Sequence, residues 1–267
     1  MPSGDDEDEE LSATLESSVD EGDVRLQRSL RTLAATGFVG GADVALGVFA
    51  LLLVKEATHS EVIASLAFSI GFIALTLAHS ELFTENFLLP IMAVVARRHH
   101  AHSIARLWVV TGVTNLIGGW VTTGLVMAGF PELRKTANEV ALRYIHLGIT
   151  WQAFAVAILG GAVITLMTWM ERGADSEFGR IVAAILAGFV LAMGSLNHAI
   201  VVSLEMFAAL QGGAPFGYLD WLGAAAWATL GNIVGGLVLV TGLRLIQIGP
   251  EKIEAERERS QQDGSHR

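Results

Sequence analysis

The chain has 267 residues, of which 52% are hydrophobic and only 16% charged, and its formal net charge is −10. That balance excludes an ordinary soluble domain and offers no basic surface for nucleic acid. With no cysteine, disulfides, thiolate metal sites and cysteine nucleophiles are excluded as well.

Residues 1–23 hold ten acids and no Lys or Arg. This head reads as a disordered cytoplasmic tail reaching to residue 30. No signal-like start precedes it, so the first span is expected to be retained. Beyond residue 23 acids and bases balance, seventeen of each.

Six apolar stretches follow, each exceeding the roughly 18 residues that cross a bilayer. They run Leu33–Val54, Val62–Ala96, Leu107–Met127, Tyr144–Met170, Ile181–Leu210 and Tyr218–Ile248. The second and fifth are too long and too interrupted to be single straight helices. Residues 249–267 form a charged cytoplasmic tail. Trp108, Trp151, Trp169 and Trp221 fit interfacial belts, and His99, His100 and His102 fit a solvated cytoplasmic loop. Arg25, Arg28, Arg31, Arg97, Arg98, Arg106, Arg172, Arg180, Arg244 and Lys252 fall on one side; Lys55, Arg134, Lys135 and Arg143 fall on the other. This bias places both termini in the cytoplasm of a multi-pass protein of the cell membrane.

The two halves are related. Asn115-Leu116-Ile117-Gly118-Gly119 returns 117 residues later as Asn232-Ile233-Val234-Gly235-Gly236, and Gly71-Phe72 returns as Gly188-Phe189. Three spans per half is an odd number, so the second half is expected upside down: an all-α, inverted 3+3 repeat with two broken helices.

The breaks are polar. Ser80-Glu81-Leu82-Phe83-Thr84-Glu85-Asn86 interrupts the second stretch and Gly194-Ser195-Leu196-Asn197-His198 the fifth. The 117-residue offset sets Glu81 on His198. Polar groups at membrane depth face a cavity or a partner, and half-helix N-termini attract a small anion. His198 is the one side chain at its break that exchanges a proton near neutrality; its plainer reading is a hydrogen bond between helices. Asn115 and Asn232, each before Gly-Gly, read as packing and hydrogen-bonding residues rather than ligands. Glu205 lies on the face of His198 and reads as a vestibule carboxylate or a subunit contact.

Three elements together resemble the formate/nitrite transporter family: Glu81-Leu82-Phe83-Thr84, the Gly-x-x-x-His segment Gly194–His198, and Gly231-Asn232-Ile233-Val234-Gly235-Gly236. The match covers about Thr36 to Ile248. It implies an aquaporin-like six-span protomer, a homopentamer, and a pore in each subunit. It also implies a constriction at Leu82, Phe83 and Thr84, a pore-lining aromatic at Phe68, and His198 as the family histidine. In this chain Asn197 stands where the family often has Glu, Val202 where it has Asn, and Leu191 where it has a second pore aromatic. Gly161 falls near a family Asn, and Arg143 and His146 lie near its basic outer residue. These departures alter the polar network around His198.

The expected function is passage of small monovalent weak-acid anions through the bilayer, with proton exchange at His198, Asn197 and Thr84 beside the constriction of Leu82, Phe83, Phe68 and Leu191. The alternatives are a pore for neutral solutes and, more remotely, an intramembrane hydrolase built on Ser80 or Ser195 beside His79 or His198. No Gly-x-Ser-x-Gly elbow or His-Glu-x-x-His motif supports an enzyme. No cofactor or metal is expected.

Overall fold

The computed structural model describes residues 4–265, which form helices joined by short turns, with no strand among them. Residues 1–3 and 266–267 of the expected tails lie outside the described residues.

The acidic head departs from its expected disorder. Gly4–Gln27 is a helix, α1. Leu15, Val19 and Leu26 recur at helical spacing and are buried, the first two packed with Leu88, Leu89 and Met92, the third with Leu33, Ala93 and Leu107. An apolar stripe every third or fourth residue is enough to dock a helix whose other faces are acidic.

Helix α2 (Leu30–Thr58) starts where Ser29 Oγ accepts from the Thr32 N–H at 3.2 Å. The second apolar stretch is four pieces: α3 (Glu61–Phe68), α4 (Ile70–Leu77), a 3-10 turn (Phe83–Phe87) and α5 (Leu89–Val95). The turn from α3 to α4 falls at Ser69, whose hydroxyl donates to the Ile185 carbonyl at 3.0 Å. Helix α6 spans His102–Gly129, and α7 spans Arg134–Leu147. The fourth stretch splits at Gly148, where φ is 58°. Tyr144 therefore belongs to α7, and the long apolar helix α8 runs Trp151–Arg172, capped by Thr150.

The fifth stretch is α9 (Glu177–Met193), an extended break, and α10 (Ala199–Gln211). The sixth is α11 (Tyr218–Ile233), a π-wound segment (Val234–Gly242) and α12 (Leu243–Ile248). Helix α13 (Pro250–Ser265) closes the chain. Pro250 at its start suits a first helical turn, where the missing N–H is not needed.

Among the described residues four helices are long and apolar enough to cross a membrane: Leu30–Thr58, His102–Gly129, Trp151–Arg172 and Tyr218–Ile248. Glu61–Leu77, Phe83–Val95 and Ala199–Gln211 are shorter apolar pieces. Helix α2 lies along α6 and α8 along α11, while α3 and α4 both pack on α9. Backbones meet closely in these pairs. A Cβ at Gly41 would stand 2.0 Å from the Asn115 carbonyl oxygen, and one at Gly161 2.3 Å from that of Asn232.

Candidate functional site

Two asparagines hold the two breaks in matching ways. Asn115 Nδ2 donates to the carbonyls of Glu81 (2.8 Å) and Gly37 (2.6 Å), and its Oδ1 accepts from the Phe83 N–H at 2.8 Å. Asn232 Nδ2 donates to the carbonyls of Asn197 (2.9 Å) and Ala157 (2.7 Å), and its Oδ1 accepts from the Ala199 N–H at 2.8 Å. Each amide satisfies backbone groups that a helix break would otherwise orphan.

These bonds correct the sequence register. Glu81 corresponds to Asn197 and Phe83 to Ala199, one residue off the 117 spacing. The position matching His198 is therefore Leu82, not Glu81. The spacing between breaks is one residue shorter than the spacing between the asparagines, which the paired signatures alone did not reveal.

His198 is fully buried and caps α10. Its Nδ1 accepts from the Val201 N–H at 3.4 Å. The proton of the neutral ring then sits on Nε2 and donates to Thr84 Oγ1 at 2.6 Å. The two breaks thus touch through one hydrogen bond. Around them Phe68, Leu82, Phe83 and Leu191 share one buried apolar cluster. The Phe83 ring meets Phe87 edge-on at 5.1 Å, and Phe87 meets Trp108 at 5.2 Å. The indole N–H of Trp108 donates to the Asn86 carbonyl at 2.9 Å.

Asn197 is buried and donates through Nδ2 to the Ala153 carbonyl at 3.2 Å, leaving its Oδ1 without a partner. Glu81 does not join His198. It is buried, accepts from Thr36 Oγ1 at 2.9 Å and pairs with Arg28 at 2.9 Å. Glu205 pairs with Arg143 at 2.7 Å and accepts from the Tyr144 hydroxyl. Arg143 also donates to Ser195 Oγ at 3.0 Å. Ser195 is thereby tied to a cation rather than aligned with a histidine base.

Sequence reasoning missed the cations that reach the first break from α1. Arg25 is buried, pairs with Glu85 at 3.1 Å, and donates to Asn86 Oδ1 at 3.1 Å and to Glu21 at 3.0 Å. Glu85 and Glu81, two acids inside an apolar stretch, were the available signal. A buried carboxylate demands a cation, here Arg25 on α1 and Arg28 just after it, although Arg97 and Arg98 lie nearer in the sequence. His99, expected in a solvated loop, contacts Asp23 Oδ1 at 2.7 Å.

A helical bundle with membrane-length apolar helices, two broken helices and a buried polar contact at their junction defines a membrane transport protein. The comparisons name its family. The formate/nitrite transporter model matches residues 12–246, and the chain belongs to that family. It is 27% identical over 239 residues to the uncharacterised transporter YrhG of Bacillus subtilis, covering 84% of this chain and 88% of the relative. Its fold is similar to that of an FNT family ion channel, with a TM-score of 0.82 at 18% identity over 89% of this chain and 99% of that one. It is also similar to that of a pentameric formate channel with formate bound, with a TM-score of 0.69 at 20% identity over 80% of this chain and 95% of that one.

Proposed function

We propose that the protein passes small monovalent anions of weak acids across the cell membrane, with proton exchange beside His198. The observation that carries this reading is the Thr84–His198 contact walled by Phe68, Leu82, Phe83 and Leu191. A bare anion is strongly opposed by such walls, whereas the neutral acid crosses them far more easily. With the ring proton given to Thr84 Oγ1, the threonine's own proton is left for an oxygen of the permeating group. The matched Asn115 and Asn232 networks support an inverted repeat of three spans each, with an aquaporin-like layout and both termini cytoplasmic. Membership of the family, and the pentameric formate channel it resembles, support a homopentamer with formate-like substrates.

The test is uptake by proteoliposomes of formate, nitrite, acetate, lactate and hydrosulfide, with and without a pH gradient. Uptake is expected to rise with inward proton flow and to be lost in His198→Phe at unchanged oligomer mass. Wild-type uptake by an assembled His198→Phe variant returns the histidine to a packing role. Swelling in neutral solutes without pH dependence favours a neutral-solute pore instead.

A further inference from the structure

Helices α6 and α11 both pack on α10, and between them lies a cleft of about 250 Å³ outside the Thr84–His198 contact. Its floor is the Phe83 ring and Ile200 at the start of α10; its sides are Gly112 and Val113 of α6 and Ala225 and Thr229 of α11. Phe83 and Ile200 are buried, whereas Val109 and Val113 at the rim are exposed. The cleft therefore runs from the lateral surface in to the back of the constriction wall. The space exists because residue 112 is glycine. A Cβ there would meet only the Phe83 ring, at 3.5 Å, an ordinary van der Waals contact.

The side-chain hydrogen-bond donors on the lining are all spent. Ser203 Oγ donates to the Ala199 carbonyl and Thr229 Oγ1 to that of Ala225, each at 2.7 Å, and the Trp108 indole N–H is held by the Asn86 carbonyl. Water stays in such a space only with about two to four polar partners, so the lining suits hydrocarbon. The volume falls below the roughly 300–1,000 Å³ of pockets for drug-sized ligands, so the occupant is slender. Gly112 stands ten residues past the start of α6 at His102, roughly 15 Å along the axis. That depth is about half of a hydrocarbon core. Exposed side chains on the same two helices, Leu125 on α6 and Leu222 and Leu230 on α11, are apolar too. The mouth therefore opens on acyl chains rather than on headgroups.

We propose that this cleft is a binding site for hydrocarbon, and that its occupant is one acyl chain of a membrane lipid, seated against the Phe83 ring. The chain supplies the packing that glycine at 112 withholds, and so backs the ring from outside the pore. The site stands on the cleft alone; its bearing on the constriction rests on the transport reading above.

The test is photolabelling in nanodiscs that contain a phosphatidylcholine with a diazirine midway along one acyl chain, with adducts mapped by mass spectrometry. Adducts are expected on buried Phe83 and Ile200 as well as on exposed Leu125 and Leu230. In Gly112→Leu, which fills the cleft from the α6 side, labelling of Phe83 and Ile200 is expected to fall several-fold while that of Leu125 and Leu230 stays. Should Gly112→Leu fail to assemble, Val113→Phe narrows the mouth from an exposed position and is expected to give the same loss. Labelling confined to exposed side chains overturns the site, whether water or a second copy fills it. Undiminished labelling of Phe83 in an assembled variant overturns it as well. In a second arm, formate uptake is compared in proteoliposomes of straight-chain oleoyl and methyl-branched phytanoyl lipids. A several-fold difference is expected for the wild type and none for Gly112→Leu; equal wild-type uptake overturns the backing of Phe83. Absence of formate uptake in both lipids counts against the transport reading and leaves the labelling to decide the site.

Discussion

Thr84 and His198, separated by 114 positions in the chain, meet at 2.6 Å where the two interrupted helices come together. Replacing Thr84 by Val keeps the shape and removes the acceptor of the buried Nε2–H. Leaving such a donor unsatisfied costs about 1–3 kcal/mol. Thr84→Val is expected to lower weak-acid uptake strongly while the oligomer still assembles, and Thr84→Ser to restore most of it. Equal uptake by the two variants in proteoliposomes would remove the hydroxyl from the pathway.

The asparagine clamps set a second expectation. Asn115→Ala or Asn232→Ala removes three hydrogen bonds each, all to buried backbone. At about 1 kcal/mol per bond, with more for groups left unpaired, each should cost roughly 3 kcal/mol or more. Asn115→Asp should be no better, because a carboxylate cannot donate to the Glu81 and Gly37 carbonyls. Thermal unfolding followed by size-exclusion chromatography measures this, and a wild-type midpoint for either alanine variant contradicts it.

Close backbone approach gives a third. At Gly41 and Gly161 an added methyl group would overlap a backbone carbonyl of the neighbouring helix, whereas at Gly129 it meets nothing within 4 Å. Gly41→Ala and Gly161→Ala should force the helices apart and lower the yield of folded protein. Gly129→Ala should be neutral or slightly stabilising, since alanine favours a helix by up to about 1 kcal/mol. Comparable yields and midpoints for all three would refute the packing argument.

The docking of α1 is expected to be acid-sensitive. Burial alone would raise the Glu21 carboxyl, but Arg25 at 3.0 Å overrides it and holds the group below its ordinary 4.5. A group with a lowered pKa in the docked state contributes stability that is fully present above the undocked value and lost as the pH falls through the docked one. Hydrogen exchange of α1 amides should therefore be slow and pH-independent, after correction for intrinsic rates, above about pH 5. Protection should fall on acidification below the 4.5 ordinary value. Glu21→Gln should flatten that contribution, and an unchanged acid profile in the variant would assign the sensitivity elsewhere.

How much of this was legible in the sequence varied with the physics behind each signal. Long apolar runs and paired Asn-x-x-Gly-Gly signatures report burial and close packing directly, so the apolar helices and both breaks could be placed from them. The register at the breaks could not, because one residue in an extended turn leaves no periodic trace. Residues 1–30 read as disordered because ten acids dominate the composition. The apolar part of the buried face is carried by Leu15, Val19 and Leu26, too few to move a composition measure. The Arg25–Glu85 and Arg143–Glu205 pairs join elements about 60 residues apart, a distance across which charge in a single sequence does not specify partners. Nor did the sequence show that the Trp108 indole N–H is taken by the Asn86 carbonyl at the first break.

The π-wound segment Val234–Gly242 makes the last span adjustable in a way the other spans are not. Wide turns of this kind hold an extra residue within an otherwise α-helical rod. Deleting one residue between Leu237 and Leu239 would let the segment relax to ordinary winding with the flanking faces kept near their register, whereas the same deletion in a plain α-helix turns everything beyond it by about 100°. Arg244, whose guanidinium lies 5.2 Å from the Trp169 ring centre, would stay near that ring, and Asn232, two residues upstream of the wide turns, would keep its three bonds. The span thus has built-in slack, which takes up a residue gained or lost without re-aiming its C-terminal end or disturbing the clamp on the second break.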